Sequence, residues 1–206
     1  MSKKETIIFD FDGTIANSLP VIYEVGSDIL KDYSDENISP KEVEKLKESG
    51  IKDALRRFDI PIYKFPFLLL KLHVELYKRV DEVSYFPGIK KLINSLKKDY
   101  KFGIFTNNRK KTVNKFLTNN KLNYFEFVED NPFLRKKEKK LKKMSGNVIA
   151  YVGDQVGDIE AAKNSDILAV GVSWGVDSKG KLKRSGADFV AKKPEDLTSF
   201  FKDLNN

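Results

Sequence analysis

From residue 87 to the carboxyl terminus, short apolar runs rich in Val, Ile and Phe alternate with polar, helix-like segments. This alternation constrains the fold more than any other feature of the chain. Strands are predicted at 102–106, 125–128, 148–152, 167–172 and 188–191, and helices at 89–98, 110–120, 134–144, 159–164 and after Pro194. Strands joined through helices run parallel, and a parallel sheet needs helices on both faces to cover it. One further strand, Thr-Ile-Ile-Phe at 6–9, precedes the series. Between it and residue 85 no convincing strand occurs. Helices are predicted there at 19–33, at 40–48 with Ser39 as N-cap and Pro40 at the first helical position, at 51–58 and at 66–80. The expected class is α/β: a three-layer parallel-sheet core built from 1–17 and 86–206, carrying an all-helical domain inserted at 18–85. Open α/β sheets bind ligands at the carboxyl edge of their strands, so the insertion is expected to pack over that edge as a lid.

Composition narrows the function. The 206 residues suit one domain with a large insertion. The chain has no cysteine and one histidine, His73, which excludes disulfides, thiolate metal sites, Cys nucleophiles and His-rich metal centres. His73 lies in an apolar helical stretch and reads as a packing residue. The amino-terminal apolar run is too short for a signal peptide, and no run approaches the roughly 20 apolar residues of a membrane span. A cytoplasmic protein without a membrane partner is expected. Nothing in the sequence sets the oligomeric state, with a monomer favoured. The net charge of +8 suits anionic partners, whether nucleic acid, acidic membrane or phosphorylated small molecules, although it also fits a Lys-rich genome composition.

Three polar groups follow predicted strands. In Asp10-Phe11-Asp12-Gly13-Thr14, residues two apart in an extended chain point the same way, so Asp10 and Asp12 project together while Phe11 faces away. Two such carboxylates repel unless a cation or a shared proton relieves them. A hard, oxygen-loving ion such as Mg²⁺ fits an all-carboxylate site. Downstream, Asp154 and Asp158 follow Tyr151-Val152-Gly153, and Gly153 lets backbone approach a ligand closely. Between them, Thr106, Asn107 and Asn108 close another strand and supply uncharged donors suited to phosphoryl oxygens.

In this order the groups resemble the four motifs of the haloacid dehalogenase superfamily: Asp10 to Thr14, Thr106, a downstream lysine, and Gly153-Asp154 with Asp158. The resemblance covers residues 6–14 and 86 to about 200. The inserted helices resemble the cap of phosphoglycolate-phosphatase-like members, and the stretches at 171–182, 186–190 and 194–197 resemble that subfamily's carboxyl-terminal part. The family implies a Rossmann-like core with a helical cap and a Mg²⁺-dependent phosphatase acting on a small phosphorylated metabolite. It implies Asp10 as nucleophile, forming an aspartyl-phosphate, and Asp12 as the acid and base. Mg²⁺ would be held by Asp10, the Asp12 backbone carbonyl and Asp154, with Asp158 behind them. Thr106 and Asn107 would bind phosphoryl oxygens, and a lysine would neutralise them.

The family often shows Lys-Pro at the lysine motif, and this chain does not. Counting back one turn from Leu141 in the run 135–143 places Lys137 at the site, with Lys136 and Lys139 as rivals. In the insertion, Lys52 and Arg56 are candidate contacts for a second anionic group of the substrate. A phosphomutase resembling β-phosphoglucomutase would use similar motifs and a similar cap. A non-catalytic anion or nucleic-acid binding protein is a more distant alternative, since carboxylates without a metal would repel phosphates. Trp174, beside Gly175, reads as loop packing.

Overall fold

The computed structural model describes residues 4–33, 38–49, 51–132, 137–144 and 147–205, without the side chains of 46–49, 51, 52 and 54. The chain forms two compact units, Met1–Asn17 with Ser84–Asn206, and Ser18–Val83. In chain order the elements are β1 (Thr6–Phe9) and β2 (Ala16–Asn17), then α1 (Leu19–Leu30), α2 (Pro40–Ser49), α3 (Ile51–Arg57) and α4 (Phe65–Lys78). There follow β3 (Ser84–Tyr85), α5 (Ile89–Leu96), β4 (Lys101–Thr106), α6 (Lys110–Asn119), β5 (Phe125–Asp130) and α7 (Lys137–Met144). The chain ends with β6 (Val148–Gly153), α8 (Val156–Lys163), β7 (Leu168–Val172), α9 (Lys179–Arg184), β8 (Phe189–Ala191) and α10 (Pro194–Asp203).

The expected parallel sheet is present. Its six strands lie in the order β5-β4-β1-β6-β7-β8, with all neighbours parallel. β1 is buried along its whole length, as a central strand covered on both faces must be. Ile8 enters an apolar cluster with Phe105, Leu141, Tyr151, Ile159 and Leu182. Phe9, its neighbour of opposite orientation, meets the rings of Phe102 and Phe125 at 6.1 and 6.4 Å. From β1 the chain winds outward through β4 to β5, then returns to the other side of β1 and winds outward through β6, β7 and β8. The two windings part at the carboxyl end of β1, the switch point at which such sheets open a crevice. Phe9 there pairs with both Ile104 and Val152, so the ends of β1, β4 and β6 lie side by side.

β2 and β3 form a separate antiparallel ribbon, Ala16 with Tyr85 and Asn17 with Ser84. The ribbon brings together the two passages that lead into and out of the helical unit. Within that unit, Ile38, Leu55, Phe58 and Ile60 form a core against which Leu30, Val43, Phe65 and Leu68 pack. A Cβ at Gly26 of α1 would stand 2.8 Å from a Val43 methyl, so α1 and α2 pack at close range. Ser39 caps α2 as expected. Its N–H donates to Glu42 Oε2 at 2.8 Å and its hydroxyl accepts from the Glu42 N–H at 3.4 Å, a capping box.

Some boundaries differ from the sequence-based expectation. The first helix ends at Leu30, and Lys31–Tyr33 tighten into a 3₁₀ turn. α8 starts three residues early because Asp158 accepts from the Gln155 N–H at 3.1 Å and caps it. The expected start of the helix at 134–144 lies outside the described residues, and α7 is described from Lys137. No described helix is long and apolar enough to cross a membrane.

Candidate active site

Asp10 extends β1 by one residue, its N–H donating to the Val152 carbonyl at 2.8 Å. The chain then turns sharply: the Phe11 carbonyl accepts from Thr14, Ile15 and Ala16, and Gly13 takes a φ of +77°. That conformation favours glycine. Space demands it too, because a Cβ on Gly13 would lie 2.3 Å from Asp154 Oδ2. Phe11 faces away, as expected, and meets Phe116 of α6 edge-on at 5.0 Å.

Three carboxylates converge at this switch point. Asp10, Asp154 and Asp158 are 4%, 0% and 2% exposed, and each offers an oxygen within 4.8 Å of the others. Asp154 is clamped from the loop after β7: the Val176 N–H donates to its Oδ2 at 2.8 Å and the Asp177 N–H to its carbonyl at 3.0 Å. Thr14 Oγ1 lies 3.4 Å from its Oδ1. Asp158 stands on the first turn of α8. Its Oδ2 caps that helix while its Oδ1 accepts from Lys137 Nζ at 2.6 Å.

Lys137, the first residue of α7, also donates to Asp10 Oδ2 at 3.2 Å and to the Tyr151 hydroxyl at 2.8 Å. Burial alone would lower its ammonium, but Asp10 and Asp158 hold it well above its ordinary value. Asp10 is pushed up from 3.8 to about 7, first by burial and then by Asp158 and Asp12, against the pull of Lys137 and of the Phe11 N–H. Burial, with two carboxylates nearby, thus disfavours the charged form of Asp10. The donor set is all oxygen and tightly grouped, which fits Mg²⁺.

Asp12 is half-buried, and its carboxylate accepts from Asn108 Nδ2 at 3.1 and 3.3 Å. Its carboxylate is not one of the three grouped ones, which belong to Asp10, Asp154 and Asp158. Thr106, at the end of β4, is buried and accepts from the Asn108 N–H at 3.0 Å. Asn107 accepts from Asn131 Nδ2 at 3.1 Å. A cleft of about 420 Å³ adjoins the cluster, lined by Asn107, Lys137, Gln155, Gly157, Asp158 and Glu160 among others.

Of the rival lysines, Lys139 is exposed and Lys136 lies outside the described residues. The side chain of Lys52 also lies outside them. The Arg56 side chain is 83% exposed and stands 3.8 Å from Asp53 on its own helix. His73 is buried. Trp174 does more than fill a loop, since its indole N–H donates to the Thr14 carbonyl at 3.1 Å and ties the loop after β7 to the turn after β1.

Two participants escaped the sequence reading, and a third has a partner it did not name. Asn108, read there as a donor to phosphoryl oxygens, holds the Asp12 carboxylate. Tyr151 reads as one more apolar strand residue. Gly175 lies where a Cβ would stand 2.4 Å from Asp154 and 2.5 Å from the Gly13 carbonyl.

The profile of the haloacid dehalogenase-like hydrolases matches residues 7–172. Among curated proteins, a phosphoglycolate phosphatase from Synechococcus elongatus is 26% identical over 201 residues, spanning 94% of this chain and 95% of its own. The pyrophosphatase PpaX of Bacillus cereus is 26% identical over 215 residues, spanning 98% and 99%. Among solved structures, a predicted phosphatase from Clostridium acetobutylicum superposes with a TM-score of 0.82 at 21% identity, over 98% of this chain and 100% of the other. A haloacid dehalogenase-like family hydrolase from Streptococcus pneumoniae gives 0.79 at 19% identity, over 98% and 100%. A profile match that runs from β1 through β7 and takes in every strand-end acid described above shows that the chain belongs to the haloacid dehalogenase-like hydrolase family.

Proposed function

We propose that this hydrolase is a Mg²⁺-dependent phosphatase that cleaves a small phosphorylated metabolite through an aspartyl-phosphate on Asp10. The observation that carries this reading is the position of Asp10: buried at the sheet's switch point, 3.2 Å from an ammonium and grouped with two further carboxylates. The curated relatives named above are a phosphoglycolate phosphatase and a pyrophosphatase, which supports phosphoryl hydrolysis here.

Asp10 attacks the phosphorus, and the bond to the leaving oxygen breaks. Asp12, steadied by the Asn108 amide, protonates that oxygen. It then takes a proton from water, which attacks the aspartyl-phosphate, releases inorganic phosphate and restores Asp10. Thr106 accepts a backbone N–H and keeps its hydroxyl proton to donate to a phosphoryl oxygen. Asn107 supports it, and Lys137 offsets charge on the transferring group. The carboxylates of Asp10 and Asp154 and the Asp12 carbonyl would hold Mg²⁺, with Asp158 beside them. When bound, the ion supplies charge neutralisation for the phosphoryl oxygens. Substrate choice is assigned to the helical unit, in which Lys52 and Arg56 are the candidate contacts for a second anionic group of the substrate.

The test is phosphate release from p-nitrophenyl phosphate with and without Mg²⁺, followed by a panel of phosphorylated metabolites that includes phosphoglycolate and pyrophosphate. Mg²⁺-dependent release, abolished in Asp10→Asn, is expected. Absence of release from every compound in the panel would remove the reading.

A further inference from the structure

Tyr151 lies on β6 among apolar neighbours and is fully buried. If packing were its only duty a phenylalanine would serve, and its contact with the Phe105 ring at 6.2 Å would remain. The hydroxyl is what differs. It stands 2.9 Å from the Phe105 carbonyl, 2.8 Å from Lys137 Nζ and 3.3 Å from Asp158 Oδ1. A carbonyl can only accept and an ammonium can only donate. The phenol therefore gives its single proton to the nearer acceptor, Phe105, and turns a lone pair to Lys137. The pairing of β1 with β4 ends at Phe9 and Ile104, so the Phe105 carbonyl lies one residue past the last pair. Tyr151 thus spans from β6 to β4 beneath the end of β1 and takes its orientation from the sheet itself.

We propose that Tyr151 is the positioning residue that aims Lys137 at the phosphoryl group on Asp10. The proposal rests on the reading of Asp10 and Lys137 given above. Lys137 has three N–H bonds, and its three partners are Asp158 at 2.6 Å, Tyr151 at 2.8 Å and Asp10 at 3.2 Å. The longest of these is the one that must change during the reaction, since Asp10 gives up its charge when it takes the phosphoryl group. The other two hold the ammonium in place while its third N–H turns to the phosphoryl oxygens. Tyr151 does this without adding a negative charge to a site that already groups three carboxylates.

The experiment is a double-mutant cycle on turnover, using the Mg²⁺-loaded enzyme and p-nitrophenyl phosphate. Tyr151→Phe keeps the ring packing, and its thermal midpoint is measured alongside to confirm the fold. Its kcat should fall about 10- to 100-fold, the loss of one hydrogen bond to a charged group, with KM nearly unchanged. Because Tyr151 acts through Lys137, the double variant Tyr151→Phe, Lys137→Ala should be no slower than Lys137→Ala alone. A Tyr151→Phe enzyme as fast as wild type, or losses that multiply in the double variant, would overturn the proposal while leaving the role of Lys137 intact. A Lys137→Ala enzyme as fast as wild type would instead remove the reading beneath it, and this proposal with it.

Discussion

Asp154 is fixed by glycines as much as by hydrogen bonds. Gly13 and Gly175 both lie where any Cβ would stand within 2.5 Å of its side chain. Gly175→Ala must therefore displace Asp154 or the loop after β7, and the variant should need roughly tenfold more Mg²⁺ for half-maximal activity. Gly180→Ala is the contrast. On α9 its new methyl would meet only the flexible end of Arg184, at 3.3 Å, and it should gain about 0.5–1 kcal/mol of helix propensity with activity unchanged. Equal metal requirements in Gly175→Ala and wild type would show that the loop does not set Asp154. Asp10 makes a second prediction, in metal-free protein. Below its ordinary value of 3.8 both folded and unfolded chains are protonated. Between there and about 7 the folded chain holds a proton that the unfolded chain has lost, so stability falls as pH rises, and above about 7 the full cost is present. In EDTA the melting temperature of wild type should drop more steeply across this window than that of Asp10→Asn, and Mg²⁺ should restore most of the loss. Parallel profiles would contradict the burial argument. Asp10, Asp12 and Asp154 were legible in the sequence because they stand at the end of an apolar run, and Asp158 because it follows Asp154 at the spacing of the resembled motif. Tyr151 and Gly175 were not, because one acts through a hydroxyl on an otherwise apolar strand and the other through space it leaves empty.

At the scale of elements, the parallel strands were legible because a buried strand must be a short apolar run, and six such runs occur. The ribbon of β2 and β3 was not. Its two-residue strands exist only because residues almost 70 positions apart pair, and no local pattern records that. α9 escaped for a related reason: Lys-Gly-Lys-Leu-Lys-Arg buries only Leu182 and has no apolar period. The helical unit is where substrate choice is proposed to reside. Replacing Lys52 and Arg56 together by alanine should raise KM or lower kcat for the metabolite that the panel identifies, while hardly affecting p-nitrophenyl phosphate, which has no second anion. Equal losses on both compounds would assign these cations to the fold or to the phosphoryl group, and no loss on either would leave them as solvated surface.

Across the whole molecule the charge is unevenly shared. The α/β unit carries 27 of the 38 basic residues and 17 of the 30 acidic ones, a net of +10, and the helical unit is therefore −2. A cationic unit around a phosphate-directed site should draw dianionic esters from solution. Raising ionic strength shortens the Debye length to about 10 Å at 0.1 M, so kcat/KM should fall with added KCl while kcat changes little. A flat kcat/KM would mean that the basic surface plays no part in capture. The central claim, a covalent phosphoryl group on Asp10, is tested most directly by trapping it. Enzyme in excess is mixed with substrate and Mg²⁺, quenched in acid within the first turnover and mapped by peptide mass spectrometry. The expected result is one phosphorylated peptide, modified at Asp10 and discharged by hydroxylamine, that is absent from Asp10→Asn. Phosphate release at the wild-type rate by Asp10→Asn, or a label on any other residue, would contradict it.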